Sequence, residues 1–284
     1  MSRLEVRKTH KLFIGGEFPR SESGRVLAAT DADGVVLARV ARASRKDLRD
    51  AVESARAAQP GWAGRTAYNR GQVLYRVAEM VEDRRSTFVR LLAADGRGAA
   101  DLEGEVDAAV DRIVWYAGWA DKFAQVVGNV NPVAGPYFNL STPEPTGVVG
   151  VVAPEVPPLL GLVSTLAPVI VPGNTAVVVA SGRWPLTAVA FTEALATADL
   201  PGGVVNVLTG GADELVPFLA SHLGVDGLDL TGADRSLVPD AARAAAGNVK
   251  RLLVDPPDDW WTAQSPYRIL AFSEIKTVWH PKGT

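Results

Sequence analysis

The feature that most constrains the fold is the rhythm of the chain from Val148 onward. Short strand-like runs at 148–152, 176–179, 204–208, 227–230 and 250–254 alternate with helical segments that begin near Pro158, Pro185, Ala212 and Asp234. The first three runs are largely apolar along their length rather than at every second position, the pattern of strands buried on both faces. Strand, helix and strand in strict alternation close as right-handed crossovers, so the runs predict one mostly parallel sheet with helices on both sides. The stretch 156–182 carries no charge and is long enough to span a bilayer. Pro168 and the Pro172-Gly173-Asn174 turn divide it instead into a buried helix and a buried strand.

The first half has a different pattern. Leu12-Phe13-Ile14-Gly15-Gly16-Glu17-Phe18 predicts a short β-hairpin, with a strand over 35–40 after it. Ser44, with Asp47 three residues later, forms a capping box that opens a helix through about Ala58, where Pro60-Gly61 should stop it. Helical spacing continues over 66–85 through Val73, Leu74, Val77, Ala78 and Val81, and from Leu102 to about Phe123 through Val106, Val110, Ile113 and Ala117. Trp115 and Trp119, one turn apart on that helix, read as core. Asn131-Pro132 and Gly135-Pro136 then break the pattern, and alternation returns at Tyr137-Phe138-Asn139-Leu140, which predicts a projecting β-arm. Beyond Val254 the rhythm ends at Pro256-Pro257-Asp258-Asp259-Trp260-Trp261. Adjacent tryptophans cannot both point inward from one face, so one of them is a candidate anchor for a partner. The final run, 268–279, has strand composition without an obvious partner in the chain.

Composition excludes several functions. With 29 basic and 32 acidic residues well mixed, no basic face is expected that would draw nucleic acid or anionic lipid. The sequence has no cysteine, hence no disulfide, thiolate nucleophile or thiolate metal site. His10, His222 and His280 are widely spaced, read as surface residues, and predict no metal centre. The first eleven residues are charged and lack the apolar run of a secretory signal, so a cytoplasmic location is expected.

Four motifs carry a resemblance: Pro154-Glu155-Val156-Pro157-Pro158, Pro172-Gly173-Asn174-Thr175, Leu200-Pro201-Gly202-Gly203-Val204-Val205-Asn206-Val207 and Leu230-Thr231-Gly232. Together they resemble the cofactor-binding half of an aldehyde dehydrogenase, and the similarity runs from the Leu12 hairpin to Lys276-Thr277-Val278-Trp279. It implies an α/β fold: a Rossmann-like cofactor-type domain over 1–128 and 147–260, an oligomerisation arm over 129–146 and 266–284, and no thiol domain between Asp255 and Ile269. Tyr116-Ala117-Gly118-Trp119, Pro157-Pro158-Leu159-Leu160-Gly161 and Gly247-Asn248-Val249-Lys250-Arg251 resemble most closely the truncated, cysteine-less second half of the two-domain family-sixteen enzymes.

The resemblance also implies losses. The family's oxyanion-stabilising aromatic-Asn pair falls on Glu155 and Val156, and valine has no donor. The ribose-contacting Lys falls on Val179 and its neighbouring Glu on Gly182; the phosphate-cradling Gly-Ser-Thr turn reads Gly232-Ala233-Asp234, and the general-base Glu aligns with Asp255, followed by prolines. Pro154, Thr231 and Gly232 remain as degenerate cofactor-side positions. No catalytic residue and no resident cofactor are expected, with weak NAD(P) binding the alternative. Tyr137, Phe138, Leu140, Ile275, Val278 and Trp279 are the expected interface residues. The implied function is a non-catalytic subunit that assembles with a complete NAD(P)-dependent aldehyde dehydrogenase. The alternatives are an NAD(P)-dependent oxidoreductase of the same superfamily with residual cofactor binding, and a homo-oligomeric scaffold.

Overall fold

The computed structural model describes residues 6–283. The chain opens with β1 (Thr9–His10), β2 (Val26–Thr30) and β3 (Val36–Ala41), a small sheet ordered β1-β3-β2. Between β1 and β2 the predicted hairpin is reduced to its turn. Ile14 and Glu17 exchange backbone hydrogen bonds of 3.0 and 3.1 Å around Gly15 and Gly16, whose φ values of 67° and 83° favour glycine. Phe13 does not extend the hairpin; it bonds Val207 in both directions, at 3.1 and 2.7 Å.

Helix α1 (Arg45–Ala63) starts on the predicted capping box, in which Ser44 accepts from the Lys46 and Asp47 amides while the Asp47 carboxylate accepts from the Ser44 N–H at 2.8 Å. Such a cap is worth about 1 kcal/mol. The helix does not stop at Pro60. Trp62 lies on the same face as Ala55, is buried, and donates its indole N–H to the Ile170 carbonyl at 2.8 Å, while Pro60 faces solvent. Burying the tryptophan outweighs the one helical bond that proline removes. Three more helices follow, α2 (Ala67–Asp83), α3 (Arg85–Leu92) and α4 (Ala99–Ala117), then the short α5 (Phe123–Val127). α4 ends at Ala117, capped by Gly118 and short of the predicted Phe123, because the chain tightens there into turns closed by Trp119 N–H to Tyr116 and Ala120 N–H to Ala117.

After β4 (Asn129–Val130) and β5 (Tyr137–Pro145), the predicted alternation appears as β6 (Val148–Val152), α6 (Pro158–Ile170), β7 (Thr175–Val179), α7 (Pro185–Leu195), β8 (Val205–Leu208), α8 (Ala212–Ser221), β9 (Gly227–Asp229), α9 (Val238–Ala245) and β10 (Arg251–Leu253). The five strands form one parallel sheet ordered β10-β9-β6-β7-β8. The order reverses between β6 and β9, so the crevice at their carboxyl ends is the place where such folds bind ligands. Every residue of β6, β7, β8 and α6 is buried, which accounts for the uncharged stretch; Pro168 sits inside the last turn of α6 rather than ending it. The buried Asn174 accepts from Gly147 N–H at 2.8 Å and donates to the Val169 and Phe272 carbonyls, tying sheet, helix and arm base together. α9 begins at Val238 instead of Asp234 because the Asp234 carboxylate accepts from Ser236 N–H and Oγ–H at 2.8 and 2.6 Å, holding a local turn in place of a helical one.

The final run divides into α10 (Tyr267–Ala271), which buries Ile269, and β11 (Ser273–Pro281). β11 does have a partner within the chain, contrary to expectation. It pairs antiparallel with β5 from Ser273↔Pro145 to Pro281↔Tyr137, and β4 completes a three-stranded sheet, β11-β5-β4. A pairing between segments so far apart in sequence leaves no trace in local periodicity.

Candidate functional site

Pro154, Thr231 and Gly232 come together in a cleft of about 400 Å³ at the carboxyl ends of β6, β7 and β9. Gly232 is there for packing: a Cβ would stand 2.3 Å from the Val152 carbonyl oxygen and 2.4 Å from the Pro154 nitrogen. The Thr231 hydroxyl is committed internally, donating to Asp229 Oδ1 at 2.5 Å and accepting from Arg268 Nη2 at 3.2 Å. The charged residues that line the cleft are both acidic, Glu155 and Asp234. The Glu155 carboxylate reaches across to the loop after β7, where it accepts from the Ser181 hydroxyl and from the Gly182 and Arg183 amides, each amide at 3.0 Å. Val156 presents an exposed aliphatic side chain, and Val179 is fully buried in β7. Asp255 lies on a neighbouring cavity of about 310 Å³ beside Arg235 and Pro256. Among the described residues no group of three or more His, Asp or Glu could hold a metal ion, and no helix is long and apolar enough to cross a membrane.

The segment between β10 and α10 crosses beside this cleft and is held by two arginines that sequence reasoning missed. Arg112, buried on α4, donates to Ser164 Oγ at 2.6 Å and to the carbonyls of Ala263, Trp260 and Trp261 at 2.9, 3.0 and 3.2 Å. Burial holds its guanidinium below the ordinary arginine value. Arg268, from α10, pairs with the buried Asp229 at 2.8 Å, and burial raises the Asp229 carboxyl despite that partner. Tyr116, buried between the two arginines and Ser265, is pushed up to about 12 by desolvation. Trp260 is half-buried, 5.9 Å from the Arg268 guanidinium carbon, and Trp261 is the outward one of the pair. A second missed group, Glu105, is buried on α4; it accepts from the Leu159 and Leu160 amides at the start of α6 and pairs with Arg97 at 2.6 Å. The available signal was position: Glu105, Ala109, Arg112 and Tyr116 recur at helical spacing on a stripe that is otherwise apolar.

All six expected interface residues are exposed, between 37 and 58 %. The β5–β11 register separates them into two groups. Tyr137, Ile275 and Trp279 share one face, where Tyr137 and Trp279 meet edge to face at 5.8 Å, and Phe138, Leu140 and Val278 share the other. The outer edge of β11 is open among the described residues. Thr146 N–H donates to the Phe272 carbonyl and Lys282 N–H to the Pro136 carbonyl, so the even-numbered residues of β11 face β5. Ser273, Ile275, Thr277 and Trp279 therefore turn their N–H and C=O groups outward.

Residues 18–255 match the aldehyde dehydrogenase family. Among curated proteins, retinal dehydrogenase 2 of Mus musculus is 34% identical over 261 residues, covering 89% of this chain and 49% of its own length. The cytosolic 10-formyltetrahydrofolate dehydrogenase of Homo sapiens is 31% identical over 264 residues, covering 90% of this chain and 29% of its own length. An aldehyde dehydrogenase from Bacillus cereus, solved as an NAD+ complex, superposes with a TM-score of 0.82 at 28% identity, covering 87% of this chain and 50% of that one. HpcC from Thermus thermophilus gives 0.83 at 30% identity, covering 87% and 48%. The chain spans about half the length of most of these relatives, and it belongs to the aldehyde dehydrogenase family.

Proposed function

We propose that this chain is a non-catalytic, cytoplasmic aldehyde-dehydrogenase-like subunit that assembles with a complete NAD(P)-dependent aldehyde dehydrogenase through its arm. The observation that carries this reading is the outer edge of β11, where a row of outward-facing backbone groups lies between two faces that each carry exposed apolar side chains. An exposed strand edge of that length pairs with another sheet or aggregates, and strand addition satisfies it.

The residues at the cleft do not fit a nicotinamide dinucleotide. A pyrophosphate needs free N–H donors and no like charge. Here the Gly182 and Arg183 amides are occupied by Glu155, and Asp234 places a second carboxylate on the lining. With no cysteine in the sequence, the 284 residues also offer no thiolate for aldehyde attack. The subunit accordingly contributes bulk, stability or regulation to its partner and no group to hydride transfer.

The test is affinity capture of the tagged chain from its native cells. A cysteine-bearing aldehyde dehydrogenase should co-purify with the unmodified chain and be lost with Thr277→Pro, which removes an outward N–H and the hydroxyl contact with Ser141 but no backbone bond to β5. Thr277→Val, which loses the hydroxyl alone, should retain the enzyme. The purified chain alone should leave aldehydes unoxidised in the presence of NAD+. A stable monomer that captures no such enzyme, or turnover by the pure chain, overturns the proposal.

A further inference from the structure

A cavity of about 340 Å³ lies where β1 runs beside the 20–25 loop and the end of β3. His10, Lys11, Arg20 and Arg25 line it, and no acidic residue does. Arg25 pairs with Glu214 at 3.0 Å, but the same carboxylate serves Arg42 at 2.8 Å, so one anion is shared by two cations. Lys11 and Arg20 make no side-chain ion pair or hydrogen bond among the described residues. The loop that presents Arg20 and Arg25 is anchored from below. Ser21 is buried and donates to the Asp47 carboxylate at 2.7 Å, and Gly24, at a φ of 66°, returns its N–H to the Ser21 carbonyl at 3.0 Å. The anchored turn thus places Arg20 and Arg25, with Lys11, on the lining of one concave space of ligand size.

A second basic cavity, lined by Arg45, Lys46, Arg49 and His222, has one cation without an anionic partner among the described residues, Arg45, rather than two. There Lys46 pairs with Asp50 at 2.5 Å, Arg49 reaches Asp50 and Glu53 at 3.7 Å, and Arg45 stacks over Phe218 at 4.6 Å. The cofactor-side cleft has the opposite sign, with Glu155 and Asp234 on its lining. Of the three, the cavity beside β1 carries the larger unpaired positive charge, on Lys11 and Arg20.

We infer that the cavity between β1 and the 20–25 loop is a binding site for a compact polyanion. Lys11 and Arg20 supply the primary counter-charge and Arg25 the third cation. The Arg20 guanidinium offers a planar fork suited to phosphoryl or carboxylate oxygens. The site is independent of the subunit reading, since it touches neither the arm nor the cleft.

Titration calorimetry of the full chain, with inorganic pyrophosphate and separately with citrate at low salt, tests the assignment. One saturable site is expected for at least one of them, weakening as salt rises. Arg20→Ala and Lys11→Ala should each lower its affinity about tenfold, whereas Lys46→Ala, in the second basic cavity, should leave it unchanged. Binding of pyrophosphate alone assigns a phosphoryl ligand, of citrate alone a carboxylate ligand, and of both a site that reads charge rather than group. The absence of saturable heat for either anion at millimolar concentration overturns the inference. So does binding that survives both substitutions, or that Lys46→Ala weakens as much as they do, in variants whose circular dichroism matches the unmodified chain.

Discussion

The parallel sheet and the arm sheet both carry apolar side chains, and they differ in what surrounds them. The five-stranded sheet has helices on both faces and Phe13 bonded to Val207 on its β8 edge, and the residues of β6, β7 and β8 are all buried. The arm sheet exposes both faces and the long outer edge of β11. Apolar side chains in the first are spent on folding. Those in the second remain available for association. The proposed assembly thus uses residues apart from those that fold the chain, and substitutions should separate the two.

The largest effect is expected where the closed region holds a buried ion pair. Arg268→Ala leaves Asp229 buried without its partner and should cost about 3–5 kcal/mol of unfolding free energy in urea. Next is overpacking of the parallel sheet: a side chain at Gly150 would meet Leu219 at 2.6 Å, so Gly150→Val should cost about 1–3 kcal/mol in the same measurement. On the arm, the double change Phe138→Ser and Val278→Ser removes apolar surface that is already exposed. It should move stability by no more than about 0.5 kcal/mol while weakening association, read by light scattering or co-purification. If the arm double variant destabilises the isolated chain as much as Gly150→Val, the division between folding and assembly fails.

The smallest effect concerns pH. Burial lowers His10 and His222 below the ordinary histidine value of 6.5, so the unfolded chain binds these protons more readily than the folded one. Stability is then complete above pH 6.5 and falls as pH drops from there through the lowered folded values. Thermal unfolding followed between neutral and mildly acidic pH should show the decline, and His10→Gln with His222→Gln should flatten it. Neither histidine is the freely solvated surface residue that spacing alone suggested.

The parallel sheet was legible because β6, β7 and β8 are short, rich in valine and bounded by turn residues, and local pattern alone places 148–152 and the helix starts at Pro158, Pro185 and Ala212. Pro154, Thr231 and Gly232 were legible as neighbours through the motifs around them. What the sequence concealed depends on distance. The partner of β11, the grip of Arg112 on the crossing segment and the reach of Glu155 to the Ser181 loop each join residues far apart in the chain. β2 was also missed, since its core is Leu27-Ala28-Ala29 and alanine favours no strand. α1 ran past Pro60 because tertiary burial of Trp62 overrode a local stop signal.

Arg112 takes three of its four acceptors from main-chain carbonyls, those of Trp260, Trp261 and Ala263. Carbonyl oxygens are the same whichever side chains flank them. The path of that crossing is therefore insensitive to most point changes in its own residues and sensitive to a change in its length, which would slide all three oxygens off a rigid planar cation at once.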